Sequence, residues 1–535
     1  MKRITGLLLT AALLCTLLSG CVESDSFSIE EYKPTGDALL MEGEEPVDLS
    51  LQDEELQALT LTYFPDRSMN PLIGVNITNR VLFSLIYQGL FSVDRNNQPV
   101  PILCSYYQAS ANNMNYTVYI DERARFSDGT PLTTADVLAS YEAAKNSQYY
   151  GGRFTYIDSV VQGENNSVVF HLTTAYENLP LLLDIPIIKV GHTEDEHPIG
   201  SGPYCFMQMG SAAQLARVQN WWCENVTLPT NAEVIELEEA TSQAQVRDEF
   251  EFDDLDLAIS NPMSDSYAEY RCDYELWEVE SGIFLYLGCN VLWSDYFKDG
   301  RNADLRKALT YAIDRQTIID SYYRGRAHAS TLPTSPGSPY YSESLASRYE
   351  YDPLRFVSAI QNVTVPKDEK GQPRKMRLLV NCDDSARLRT ARFLAKQLTE
   401  LGLDCGTLEY GGSTNVTYMQ VLQAGNFDLY LGQTKLSSTM DLSQFYKGWG
   451  NLGWGGIADN TLLNMCKEAL ANSGNYYNLN KMVADDGKII PILFGFYEVY
   501  AERGQLLNLT PSRDNVFFYS VGKTMESSRL ATEYG

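Results

Sequence analysis

Apolar positions along the chain fall into two periods that take turns. Residues 115–120 and 167–172 read as strands, rich in Tyr, Val, Ile and Phe. Thr133 with Asp136 three residues on has capping-box spacing and opens an apolar-periodic run to Lys145, which predicts a helix. Residues 232–237 are strand-like. The stretch 304–320 predicts one helix with Leu305, Ala308, Leu309, Ala312 and Ile313 on one face. Residues 376–431 predict a βαβ unit: a strand over 376–380, a helix over 385–401 and a buried strand over 427–431. Gly402 suits the left-handed position that ends such a helix. A further strand is expected over 488–494, and a strand so late can carry the chain back into its first lobe. Alternating strands and helices imply an α/β architecture.

The first apolar run has a different meaning. Lys2 and Arg3 precede the apolar residues 7–18, and Leu18-Ser19-Gly20-Cys21 follows. A basic start, a short apolar core and small residues at the cut describe a secretory signal, not a membrane span. Cys after Leu-Ser-Gly resembles a bacterial lipobox, which implies cleavage after residue 20 and a diacylglyceryl group on the Cys21 thiol. An ordinary signal cut elsewhere is the alternative. Residues 22–55 then hold twelve Asp or Glu against the single cation Lys33. So polar a segment cannot bury enough surface to order itself. As a coil its 34 residues reach roughly 30 Å, a tether from an anchor on which several acyl chains hold firmly. The expected location is the cell surface or periplasmic side of a bacterial membrane.

About 515 residues remain after the signal, enough for two or three lobes. The formal charge of −28 becomes about −30 without Lys2 and Arg3, which argues against nucleic acid and against an electrostatic grip on anionic lipid. Eight Cys follow Cys21, widely spaced and with no C-x-x-C pair. Several sit in apolar segments, so buried free thiols are expected in preference to a zinc site or a redox pair. The run His192-Thr193-Glu194-Asp195-Glu196-His197 lacks the ligand spacing of a known metal site and reads as a solvated loop. Gly448–Gly453 spells G-x-G-x-x-G but does not join a strand to a helix in an early βαβ unit. No G-x-S-x-G, H-E-x-x-H or P-loop occurs. No catalytic set, metal or cofactor is expected, and a surface hydrolase is the weakest of the functional readings.

Several segments line up in order: Asn70-Pro71-Leu72; residues 81–91, VLFSLIYQGLF; residues 99–103, PVPIL; and residues 125–133, RFSDGTPLT, with Asp136-Val137. Gly200-Ser201-Gly202-Pro203-Tyr204, Asn220-Trp221-Trp222, Tyr286-Leu287-Gly288-Cys289-Asn290 and residues 305–315, LRKALTYAIDR, continue the series. From about residue 56 to about residue 522 the chain resembles the extracellular solute-binding proteins of family 5, which serve ABC importers of oligopeptides and dipeptides. The resemblance implies a periplasmic-binding-protein type II-like, two-lobed clamp with an extra small lobe. After the signal (1–20) and the lipidated, acidic tether (21–55), it implies a discontinuous first lobe (56–69, 190–283 and 488–535). The small lobe would be 70–189 and the second lobe 284–487. It implies no enzyme but a monomeric receptor that presents a ligand to an ABC permease and ATPase, anchored through its lipid. The expected ligand is an extended oligopeptide paired by its backbone. A non-peptide solute such as a sugar derivative or a metal chelate, or ligand sensing without transport, are the alternatives.

The implied cleft segment follows a strand written F-D-L, here Phe427-Asp428-Leu429, and supplies the candidates Tyr430, Gly432, Gln433, Thr434, Lys435, Ser438, Thr439 and Asp441. Peptide-binding members carry an Asp in this segment for the α-amine, whereas here the position falls on neutral Ser438 or Thr439. Asp441 fits a later position. Trp449 and Trp454, on a Gly-rich loop, either line the cleft or pack on their own lobe.

Overall fold

The computed structural model describes residues 59–210, 212–223, 232–412, 416–448, 452–507, 509–512, 516–517 and 522–523. Cys21, the signal, the tether and Trp449 lie outside the described residues. Two compact units divide the chain. A nearly continuous unit holds Gly282–Phe496 with the short segment Pro262–Asp265. A split unit holds the described residues up to Asn261, then Ser266–Ser281 and those from Tyr497 onward. Among the described residues no helix is long and apolar enough to cross a membrane.

The split unit contains two four-stranded sheets. In one, Leu59–Tyr63 pairs in parallel with Val234–Glu239, which continues antiparallel to Ala212–Arg217 and Tyr204–Met209. In the other, Cys104–Ala109, Asn115–Ile120, Ser167–Leu172 and Ile157–Gln162 lie antiparallel in that order. Leu257–Ser260 adds an antiparallel pairing with the end of the long strand Ile489–Ala501, Ser260 opposite Glu498. The helix Thr134–Ala144 starts where its cap predicts: Asp136 accepts the Thr133 backbone N–H and hydroxyl, each at 2.8 Å. Gly129, at φ +83°, turns the Phe126–Thr130 reversal. Gly200 and Gly202 do something else. A Cβ on either would stand 2.2–2.3 Å from the Ile86 or Leu85 carbonyl oxygen, so they let this backbone lie against the end of the Ile77–Ile86 helix.

In the continuous unit the strands Met376–Asn381, Cys405–Tyr410 and Leu429–Lys435 are parallel, with Met376–Asn381 in the middle. Leu429–Lys435 pairs antiparallel with Glu275–Cys289, which neighbours Ile489–Ala501. The expected strands over 376–380 and 427–431 and the helix ending at Gly402 are present as Met376–Asn381, Leu429–Lys435 and Ser385–Glu400, with Gly402 at φ +98°. The pattern passed over the strand Cys405–Tyr410 and the helix Tyr418–Ala424 between them.

The helix expected over 304–320 is broken. Ala303–Ala308 gives way to a 3₁₀ turn, Leu309–Ala312, and a new helix runs Arg315–Tyr322. Ile313 is extended at the break (φ −99°, ψ 106°) and Asp314 caps the second helix through Thr317 N–H and Oγ1. Nor do Asp314 and Arg315 make the local ion pair that their adjacency suggests. The Arg315 guanidinium is buried and donates to the carbonyls of Thr310, Ile313, Ser330 and Pro491 and to Thr310 Oγ1. Burial pulls its pKa down to about 10. Carbonyl dipoles take the place of a carboxylate, and the break in the helix turns two of them toward the cation.

Candidate functional site

The F-D-L segment begins on a buried charge. Asp428 is fully buried and accepts from Arg374 (2.8 and 3.0 Å), Arg377 N–H and Nε (2.9 and 3.2 Å) and Ser294 Oγ (2.6 Å). Burial pushes its carboxyl up, but the hydrogen bonds from Arg374 and Ser294 and the charges of Arg377 and Arg374 outweigh this and hold it below the usual carboxylate value. This cluster pins the entry to the strand at the end away from Lys435.

Leu429–Lys435 is buried on both faces as far as Gly432, and opens only at Gln433, Thr434 and Lys435, which are half-buried. Two tyrosines and two glycines explain the closed part. Gly432 lies opposite Tyr286, and Gly288 opposite Tyr430. A Cβ at Gly432 would stand 2.4 Å from the Tyr286 ring, and one at Gly288 2.2 Å from the Tyr430 ring. Each ring covers the glycine across the ladder, a reciprocal pair that fills the sheet face. Both rings are core residues, at 1–2% exposure. Gly432→Ala, and separately Gly288→Ala, should each destabilise the protein by about 1–3 kcal/mol in urea melts. Adding Tyr286→Leu to Gly432→Ala should recover part of the loss; equal midpoints for Gly432→Ala and the unmutated protein would contradict the packing.

After the strand the chain makes a tight, side-chain-bonded turn. Met440 N donates to Ser437 O at 2.8 Å, and Met440 itself is fully buried at φ +52°. Ser437 Oγ and Thr439 Oγ1 are 2.9 Å apart, and Tyr476 Oη donates to Thr439 O. Ser438 and Thr439 are buried, at 0% and 2% exposure. Both oxygens of Asp441 are engaged by Ser443, with the N–H at 2.8 Å and Oγ at 2.9 Å, where the short helix Ser443–Tyr446 begins. Burial pushes the Asp441 carboxyl up against those bonds, and burial pulls the Lys447 amine down against the attraction of Asp441. Trp454 packs into the core with Phe445, Tyr446 and Ile457 at 4% exposure, the second of its two expected placements.

The structure therefore brings Gln433, Thr434, Lys435 and the 437–441 turn together at the carboxyl end of one strand. Tyr430, Gly432 and Trp454 lie in the packing behind them. Ligands of open α/β sheets bind outside the carboxyl ends of the strands. Two further segments lie at that edge, since Asn381 pairs with Tyr410 and the Leu429–Lys435 strand runs parallel beside them. Asp383 accepts Gly412 N–H there at 2.6 Å, after taking Asn381 Oδ1 on its own N–H at 3.0 Å. The sequence signal for this part was the Asn-Cys-Asp-Asp-Ser junction from strand to helix and the Tyr410-Gly411-Gly412 run.

The 192–197 loop is built into the fold. His192 Nδ1 and Asp195 Oδ2 are 2.6 Å apart, Asn70 Nδ2 donates to the carbonyls of Thr193 and Asp195, and His197 stacks on Phe206 at 4.1 Å. Glu196 accepts Met69 N–H at 2.9 Å. Among the described residues no three His, Cys, Asp or Glu are grouped to hold a metal. All eight described Cys are free thiols, five of them buried. Burial pushes Cys104, Cys289 and Cys405 up to about 12.

The alternating α/β fold, with its parallel strands and long crossing strands, is that of the type II periplasmic binding proteins. Residues 98–456 match the family described as bacterial extracellular solute-binding proteins, family 5, middle, and the chain belongs to that family. It is 20% identical to the glutathione-binding protein GsiB of Salmonella paratyphi A over 363 residues, 63% of this chain and 66% of that protein, a little under two thirds of its length. Among solved structures it is similar to MppA, a periplasmic murein tripeptide binding protein in unliganded open form (TM-score 0.71, 14% identity, 89% of this chain and 99% of that one). It is also similar to NikZ from Campylobacter jejuni in complex with Ni(L-His) (TM-score 0.61, 16% identity, 88% and 99%). At these identities the two structures speak for the fold alone.

Proposed function

We propose that the protein is the surface-anchored receptor of an ABC importer, held by lipid on Cys21, that binds an extended oligopeptide and delivers it to a permease. It acts as a monomer and makes or breaks no bond. The observation that carries the site is the opening of the Leu429–Lys435 strand at Gln433–Lys435, beside the carboxyl ends of Met376–Asn381 and Cys405–Tyr410. Half-buried polar residues at a strand end suit backbone pairing with a peptide. GsiB and MppA, named for glutathione and a murein tripeptide, support a peptidic ligand. Each oxygen of Asp441 already accepts from Ser443, so a peptide amine held at Asp441 would share that carboxylate with the start of the Ser443–Tyr446 helix. The engaged Asp441 and the neutral Ser438 and Thr439 favour, as a second reading, a chelate of the kind bound by NikZ.

Native mass spectrometry of residues 51–535, before and after mild unfolding, separates the readings. A ladder of small peptides in the released fraction is the expected result. A single non-peptide mass would move the function to another solute.

A further inference from the structure

The sheet of Cys104–Ala109, Asn115–Ile120, Ser167–Leu172 and Ile157–Gln162 has one face in the core and one face open. Inward, Tyr116, Val118, Val168 and Phe170 are buried, and Tyr141 of the Thr134–Ala144 helix meets the Phe170 ring edge-on at 5.3 Å. Outward, residues two apart on a strand share the face, which sets up three rows about 7 Å apart. The first row is aromatic: Tyr106 lies opposite Tyr119, with ring centroids 5.7 Å apart and planes tilted by 34°. The second runs Gln108, Thr117, Val169, Val161. In the third, Asn115 lies opposite His171, with Ser159 beyond it, and Asn115 Oδ1 and His171 Nδ1 are 2.6 Å apart.

This face meets solvent. Tyr106 is 59% exposed and Val161 41%, Gln108 and Asn115 are exposed, and the rest of the three rows is half-buried. The rows carry no Asp, Glu, Lys or Arg, in a chain where those residues make up 21% and the net charge is −28. A phosphate, a sulfate or an anionic lipid finds no Lys or Arg there, and a basic peptide finds no carboxylate. What the face offers is flat rings beside amides, hydroxyls and an imidazole. A protein interface gathers apolar side chains at its centre and polar ones at its rim. Here Gln108 and Thr117 stand between the rings and the Asn115–His171 pair, so polar groups run through the middle. That order suits a ligand whose units each have a C–H face to lie on a ring and hydroxyls around the edge that both donate and accept, as sugars do.

We propose that this outer sheet face binds an uncharged glycan chain, one sugar resting on Tyr106 and Tyr119 and its neighbours bonded by Gln108, Asn115 and His171. The site goes beyond the receptor reading and does not depend on it: it is built on a sheet of the split unit, whereas the candidate ligand site is built on strands of the continuous unit. The family is described as extracellular, and the glycans of a bacterial envelope lie on that side of the membrane. Asn115 and His171 are bonded to each other before any sugar arrives, which spares part of the ordering cost of binding.

The test is co-sedimentation of the chain, made without residues 1–20, with three insoluble uncharged polysaccharides: chitin, cellulose and starch granules. Binding to at least one is expected, with little change between low and high salt because no ion pair is formed. Tyr106→Ala should weaken it about tenfold, and adding Tyr119→Ala should remove it. Tyr107→Ala is the control. It takes an aromatic ring from the same strand, but Tyr107 lies opposite the inward Val118 and meets Phe91 edge-on at 5.4 Å. It should leave sedimentation unchanged. In native mass spectrometry Tyr106→Ala should release the same ligand as the unmutated protein, so failure of the receptor reading and failure of the glycan site show in different measurements. No binding to any of the three polysaccharides, binding lost at high salt, or equal loss in Tyr107→Ala would overturn the proposal. So would a dimer of the unmutated protein in analytical ultracentrifugation that Tyr106→Ala dissociates, since a second copy would then occupy the face.

Discussion

A chain ended at Gly487 should not fold. It would lack Ile489–Ala501, a 13-residue strand buried at every position. In the continuous unit this strand supplies Ile489 and Phe494 to the main core, where the Phe494 ring stacks on Phe284 at 4.8 Å. In the split unit it supplies Tyr500, stacked on Tyr270 at 4.0 Å, and the only partner of Leu257–Ser260 among the described residues. Each large apolar side chain removed costs about 1.5–3 kcal/mol, and the strand holds Ile489, Ile490, Ile492, Leu493, Phe494, Phe496 and Val499 besides its tyrosines. Seven such side chains sum to about 10–21 kcal/mol, as large as or larger than the roughly 5–15 kcal/mol by which a domain is stable. The truncated chain should show no cooperative thermal transition and no near-ultraviolet circular dichroism from its tyrosines. A folded, ligand-binding truncation would sink the assignment of this strand to both units.

The second large effect is expected at Asp428. Asp428→Ala leaves Ser294 Oγ and Arg377 N–H without their acceptor and the partly exposed Arg374 and Arg377 guanidiniums without their counter-charge, and should cost about 3 kcal/mol. Asp428→Asn should be nearly as damaging, since an amide carries one acceptor oxygen and turns N–H toward the cations. The pH dependence follows from the sign. The folded carboxyl lies below its ordinary value, so its contribution is complete above the unfolded pKa of about 3.9 and fades as pH falls through the lower folded pKa. Melting temperature measured from neutral pH down should fall more steeply in that acid range for the unmutated protein than for Asp428→Ala. Parallel curves would show that the Arg–Asp cluster contributes nothing net.

Where local chemistry decides an element, its residues announce it. The strands over 115–120 and 167–172 have the expected bounds, and Thr133 with Asp136 marks a helix start because both partners sit within one turn. The break at Ile313 was not legible. The acceptors that stabilise it include Ser330 and Pro491, and the apolar face of 304–320 is continuous across it. Cys405–Tyr410 escaped for the opposite reason: it lies at the sheet edge, half-buried almost throughout, so it shows no clear alternation. The candidate segment was placed by its F-D-L lead-in, but which of its residues face outward was not. Tyr286 closes over Gly432 from a strand more than a hundred residues earlier, and Tyr476 ties down Thr439 from a later helix.

The late position of the Ile489–Ala501 strand also bears on timing. Synthesis runs from the amino end, and a domain ordinarily folds once its own residues have emerged. Here the split unit, which begins at the start of the described chain, cannot complete its core until Tyr500 has been made. The cluster of Phe64, Phe250 and Tyr270 therefore waits for its last ring until the whole of the continuous unit has been made, so the first unit begun is the last one finished.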